Sequence, residues 1–128
     1  WASKCTSGAS MKEPSEHVEQ RNLISWCNQQ GPPASLIFAI PNGGQRSKIT
    51  GAKLKLEGVR AGVPDLFLPV ARHGYHGLFI EMKRTKSGGM SGVQKAWKSV
   101  LLEQGYYCTQ CRGADAAIVV IRSYLEMA

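Results

Sequence analysis

The residue types best suited to chemistry are an aspartate, a glutamate and a lysine at a suggestive spacing. Pro64-Asp65 is followed, after fifteen intervening residues, by Glu81-Met82-Lys83. Glu81 and Lys83 stand two apart in the run Leu78-Phe79-Ile80-Glu81-Met82-Lys83. On a strand they project from one face, and Ile80 and Met82 from the other. An acid and a base on an otherwise apolar strand are costly to bury without a task. If the segment headed by Asp65 pairs with this one as a hairpin, two carboxylates converge on one point. Carboxylates, backbone carbonyls and water are the ligands of hard cations such as Mg²⁺ and Mn²⁺. A lysine beside them polarises water, or stabilises the charge that grows on a phosphate in flight. Those are the parts that hydrolyse a phosphodiester. Plainer readings stand beside this one: Asp65 as a turn cap, and Glu81 with Lys83 as a surface ion pair worth under about 1 kcal/mol.

The elements that must position these residues follow from periodicity and breakers. Ser15 is a natural N-cap, and Val18, Glu16, Glu19, Leu23 and Cys27 recur at helical spacing until Gly31-Pro32-Pro33. Glu16 and Glu19 then share a face with apolar residues, which demands a partner or a metal. A short strand is predicted over 36–40, a turn over 41–44, and a helix over 48–58 with Ile49, Ala52 and Leu56 on one side. Strand 65–70, with Leu66-Phe67-Leu68 covered on both faces, pairs antiparallel with strand 78–83. Ser91 caps a further helix that carries Val93, Trp97, Val100 and Leu101 at three- and four-residue spacing, with Trp97, Val100 and Leu101 as core, and Gly105 ends it. A strand over 106–111 follows; residues 116–121 could be a strand by composition, but the spacing of Ile118, Ile121 and Leu125 favours a helix over 114–127, which completes the order α-β-α-β-β-α-β-α. That order predicts a three-layer α/β domain, a mixed sheet flanked by helices.

Composition narrows the partners. The 128 residues suit one domain, with 43% hydrophobic residues to bury and 20% charged. No run approaches the length of a membrane-spanning helix, and the N-terminus has no apolar leader core, so the expected location is cytoplasmic. Residues 1–10 are small and polar, and Met11 follows them like a start. The expectation is a segment foreign to the domain or a disordered arm, with the domain over 11–128. Cys108-x-x-Cys111 invites a zinc or redox role, but no second close Cys/His pair exists and the motif falls on a predicted strand. Reduced thiols are the expectation. The net charge is +7, and residues 44–98 hold eleven basic and three acidic residues. A basic region of this kind suits a nucleic acid. Arg46, Lys48, Lys53, Lys55, Arg84 and Lys86 are the candidate phosphate contacts. In loop 72–77, His73, Tyr75 and His76 are either DNA contacts or merely solvated.

The Pro64-Asp65 and Glu81-Met82-Lys83 pattern resembles the PD-(D/E)XK nuclease superfamily. Its surroundings resemble one family in particular. Gly58-Val59-Arg60-Ala61-Gly62-Val63-Pro64-Asp65, Glu81-Met82-Lys83-Arg84, Ser91-Gly92-Val93-Gln94 and Ser15-Glu16-His17-Val18-Glu19-Gln20 look like the VRR-NUC family, in the standalone form of phages and bacteria. The resemblance implies a restriction-endonuclease-like core. It implies Asp65, Glu81 and the Met82 carbonyl as ligands of Mg²⁺ or Mn²⁺, Lys83 on the attacking water, and Gln94 near metal or phosphate. A glutamate of the first helix would complete the acidic cluster. Glu16 is favoured, because Gln20 falls four residues on, with Glu19 as the alternative. The implied activity is metal-dependent endonucleolytic cleavage of DNA, of the Holliday-junction-resolving kind, by a homodimer. Flap or nick cleavage, general DNA degradation, and a non-catalytic DNA-binding module of the same fold are the rivals.

Overall fold

Caps and prolines decide where the elements start and stop. The computed structural model describes residues 13–42 and 48–128, with the backbone alone at Lys48 and Ile49. The expectations for residues 1–10 and Arg46 lie outside the described residues. Ser15 is extended and its Oγ accepts from Val18 N at 3.2 Å, which opens helix α1 (Glu16–Gln30). Gly31 ends it, and one 3₁₀ turn (Ala34–Leu36) leads into β1 (Phe38–Ala39). Then come α2 (Lys48–Leu56), β2 (Leu66–Leu68), β3 (Leu78–Lys83), α3 (Gly92–Glu103), β4 (Tyr107–Arg112) and α4 (Ala114–Leu125). The order is the predicted one.

β1 and β2 are shorter than predicted over 36–40 and 65–70. Pro41 follows the first, and Pro64 and Pro69 bracket the second. Proline has no N–H for a ladder. Beyond Pro69 the chain turns at once, with Val70 N donating to Leu68 O at 2.9 Å.

The sheet order is β1-β2-β3-β4. The first two pairings are antiparallel, and β3 and β4 run parallel, joined through α3. Leu66 pairs with Ile80 and Leu68 with Leu78, so Leu66, Leu68, Leu78, Ile80 and Met82 share one face. They are fully buried there with Leu23 and Cys27 of α1 and Ala117 and Ile121 of α4. The opposite face carries Phe67, Phe79, Glu81 and Lys83. Phe67 stacks with Phe38, Phe79 and Tyr106, while α3 packs along β4. Helices thus flank both faces of a mixed sheet.

Helix α3 departs from the prediction that Trp97, Val100 and Leu101 are core. None of its residues is buried, and Val93 and Val100 are about half exposed. The cause lies in the layer: α1 and α4 cover one another, whereas α3 leans on β4. Cys108 and Cys111 are three apart on a strand, so they point to opposite faces, Cys111 into the core. Among the described residues no helix is long and apolar enough to cross a membrane.

Candidate active site

The hairpin register brings Asp65 to the end of β3. Asp65 precedes β2 directly, and its Oδ2 accepts from Met82 N at 2.7 Å, between Glu81 and Lys83. Its Oδ1 accepts from Asn42 Nδ2 at 2.9 Å. Asn42 Nδ2 also lies 3.5 Å from Val63 O, so one side-chain amide ties the carboxylate to the backbone that leads into it. Both oxygens of Asp65 are oriented by the protein, yet each keeps a lone pair.

Glu81 is 3% and Lys83 5% exposed. Lys83 Nζ lies 3.6 Å from Glu81 Oε2 and donates to Gln94 Oε1 at 3.0 Å. Gln94 Nε2 donates to the same Glu81 oxygen at 2.9 Å. The amide of Gln94 is oriented by its place on α3. It is the third residue of the helix and completes a capping box: Ser91 N donates to Gln94 Oε1 at 2.9 Å, and Gln94 N to Ser91 Oγ at 3.2 Å. Two donors, Ser91 N–H and the Lys83 ammonium, fix Oε1, so Nε2 must face Glu81.

Glu81 Oε1 is buried and has no hydrogen-bond partner. Burial pushes the Glu81 carboxyl up to about 8, the negative charge of Asp65 adds to the rise, and Lys83 opposes it. An unpaired buried carboxylate oxygen beside a second carboxylate is an arrangement that a cation would satisfy. The donors are hard oxygens, which fits Mg²⁺ or Mn²⁺ better than a thiolate-binding metal. The two carboxylates are the whole of it, for among the described residues no group of three His, Cys, Asp or Glu side chains gathers.

A family model for the VRR-NUC domain matches residues 12–115. The chain belongs to the VRR-NUC family. A solved structure called "VRR_NUC domain protein" is similar to it, with 31% identity over 91% of this chain and 93% of that one, at a TM-score of 0.77. No curated protein matches the chain. VRR-NUC domains are in general nuclease domains, with DNA as the substrate.

In this VRR-NUC domain the two glutamates of α1 part company. Glu16 is exposed and lines a cleft with Ser15, His17, Gln20, Asp65 and Arg84. A Cβ on Gly88 would lie 3.9 Å from both Glu16 Oε2 and Lys83 Cδ, which sets Glu16 across that glycine from the lysine. Glu19 is 8% exposed and its Oε1 accepts from Ala114 N at 2.8 Å, so it caps α4. The predicted shared face is therefore split, and Glu19 turns to the helix terminus. Asp65, Glu81, Lys83 and Gln94 come together as the sequence suggested, with Met82 between them.

The basic candidates are dispersed. Lys53 and Lys55 are exposed on α2, and nothing is described of the Lys48 side chain. Arg84 and Lys86 border the site, and both touch Glu13: Arg84 Nε lies 3.5 Å from Glu13 Oε1, and Lys86 N donates to Glu13 Oε2. His73, Tyr75 and His76 lie at the opposite end of β3 from Lys83, where His73 Nε2 is 2.9 Å from Tyr124 O and His76 stacks on Tyr106. They do not join the site. The sequence reading missed three residues: Asn42, Glu13 and Arg112. Asn42 had one visible signal, its place in a Pro-Asn-Gly-Gly turn, but nothing marked its contact with Asp65.

Proposed function

We propose that this chain is a Mg²⁺- or Mn²⁺-dependent endonuclease of the PD-(D/E)XK type that hydrolyses DNA phosphodiester bonds. The observation that carries the reading is the unpaired Glu81 Oε1 beside Asp65, with Lys83 and Gln94 fixed around them. Asp65 and Glu81 would hold the metal, and the resemblance adds the Met82 carbonyl. Bound there, the metal would supply a Lewis acid for the phosphate and its attacking water. Lys83 has three donors and spends one on Gln94 Oε1, so it keeps N–H groups for water or a phosphate oxygen. Gln94 holds that ammonium and Glu81 in a fixed relation. Glu16, at the rim of the cleft, would orient water or the metal's outer ligands. Water attack on phosphorus leaves a 5′-phosphate and a 3′-hydroxyl.

The finer reading is a homodimer selective for four-way junctions, acting in the cytoplasm. A two-fold pair would present two sites to two strands. The half-exposed apolar face of α3, with Val93, Ala96, Trp97 and Val100, offers a surface for such pairing. The reduced, buried thiols suit a reducing compartment.

The test is cleavage of a labelled four-way junction and its matching linear duplex with Mg²⁺, Mn²⁺ or EDTA. Metal-dependent cuts in both substrates would keep the nuclease and remove the junction role. Paired cuts in the junction alone support both. Binding with no cut in either metal would leave a binding module. Lys83→Ala should lower cleavage by about 10²-fold or more while DNA affinity holds, because the group acts mainly in the transition state.

A further inference from the structure

Directly after Lys83 the chain forms a cradle for an anion, and a carboxylate of the same chain sits in it. Glu13 Oε2 accepts from the consecutive amides of Lys86 and Ser87, the latter at 3.2 Å, and from Thr85 Oγ1 at 3.3 Å. Glu13 Oε1 accepts from Ser87 Oγ at 2.8 Å and faces Arg84 Nε at 3.5 Å. The Lys86 amide above all, with Ser87, Arg84 and Thr85, holds the Glu13 carboxyl below its ordinary range.

Successive backbone amides, two hydroxyls and a guanidinium are the donors that hold phosphate groups. Five of them converge here on a carboxylate with about four lone-pair sites. The fit is incomplete, since Arg84 Nε is buried and makes no hydrogen bond. Glu13 is not the cradle's sole tie. Arg112, which pairs with Lys83 across the sheet, ties the loop from beneath: its Nη1 donates to Arg84 O at 3.0 Å and Ser87 O at 2.8 Å, and its Nη2 to Gly88 O. Its position is also telling. Arg84 lines the cleft that holds Asp65 and Glu16, so the cradle shares a wall with the candidate active site.

We propose that the Arg84–Ser87 loop is a binding site for a phosphate group of the nucleic-acid strand, and that Glu13 is its intramolecular stand-in, displaced when DNA binds. The proposal rests on the nuclease reading and deepens it, giving the strand a second fixed point beside the scissile bond. The carboxylate is well held in a chain of net charge +7, yet its charge opposes a polyanion at the same donors until it moves aside. Emptying the cradle costs the contacts of Glu13, and the phosphate restores them.

The test is DNA affinity in EDTA across a salt series, by fluorescence anisotropy, with duplexes bearing or lacking a terminal 5′-phosphate. Glu13→Gln should bind several-fold tighter than the wild type at low salt. Its slope of log affinity against log salt should stay close to the wild type's, because the same phosphate is neutralised in both once Glu13 is displaced. Ser87→Ala in the Glu13→Gln background should remove most of that gain. Glu103→Gln, which removes a charge on exposed α3, should bring no such gain in affinity. A gain on both duplexes identifies a backbone phosphodiester, and a gain on the phosphorylated one alone identifies a terminal phosphate. Unchanged or weaker binding by Glu13→Gln would overturn the proposal and make Glu13 a fastener of the loop. If that variant does not fold, the wild-type amide resonances of Lys86 and Ser87 decide: they shift on adding DNA, or the proposal fails. Metal-dependent cleavage by a wild type whose Lys86 and Ser87 amides ignore DNA would overturn this site and spare the nuclease. A wild type that neither binds nor cuts DNA would overturn both.

Discussion

Burial, the charge of Asp65 and the opposing charge of Lys83 leave the Glu81 carboxyl at about 8, far above the range near 4.3 for a free glutamate. The folded protein therefore holds a proton on Glu81 that the unfolded chain has released. Stability from this group is full below the unfolded value and is lost as pH rises through about 8. In chelator, melting temperature should fall between about pH 4.5 and 8, and Glu81→Gln should flatten that slope and melt higher at pH 8. An unchanged slope in Glu81→Gln would place the pH dependence elsewhere. Asn42 acts on the neighbouring carboxylate. Asn42→Ala removes the donor to Asp65 Oδ1, and supporting contacts of this kind are worth about 10–100-fold in metal affinity or activity. Cleavage should fall by that order and recover in part at high metal concentration, with little change in melting. At this scale Asp65, Glu81 and Lys83 were legible because their spacing along two consecutive strands is local, and Gln94 only through the family resemblance. Asn42 was not, because its contact spans 23 positions and depends on how a turn lies against β2.

The N-cap position before helix α4 is Gly113, which has no side chain to cap it and a positive φ of 90°, and a Cβ there would come within 2.7 Å of Thr85 Cγ2. Its first amide is served instead by Glu19, from a helix 95 positions away. Helical spacing alone put Glu16 and Glu19 on one stripe, since three residues bring the chain back to within about 60°. That angle is enough for one carboxylate to enter the core and the other to reach the cleft. The two should separate by measurement. Glu19→Ala leaves a buried amide without its acceptor and should cost about 1–3 kcal/mol, with cleavage kept at temperatures where the variant is folded. Glu16→Gln should leave melting unchanged and lower cleavage. A folded Glu19→Ala that cannot cut would return Glu19 to the catalytic set. The predicted strand lengths failed for a related reason: hydrophobicity marked 36–40 and 65–70, but Pro41, Pro64 and Pro69 set the ladder ends.

The whole molecule divides at its sheet into a closed layer and an open one, and the cysteines report on both. Cys27 and Cys111 lie in the core under α1 and α4, while Cys108 is buried on the other face, near Lys98 of α3. The sequence order of elements foretold two covered faces. It did not foretell that one covering helix would bury nothing of its own, because periodicity measures apolar spacing and not whether a neighbour closes the far side. Burial pushes all three thiols up to about 11, against about 8.5 for a free cysteine. A disulfide reagent attacks the thiolate, so each should be inert in the folded state at neutral pH. In a Cys5→Ser background, labelling with such a reagent then counts opening events. Cys27 and Cys111 should react together, at the rate and denaturant dependence of global unfolding. Cys108 should react sooner and with a shallower denaturant dependence, because lifting α3 from β4 exposes it and leaves the core intact. Equal rates at all three sites would mean that α3 opens only with the whole fold. Faster labelling at Cys27 would make the α1–α4 layer the looser one and reverse the assignment.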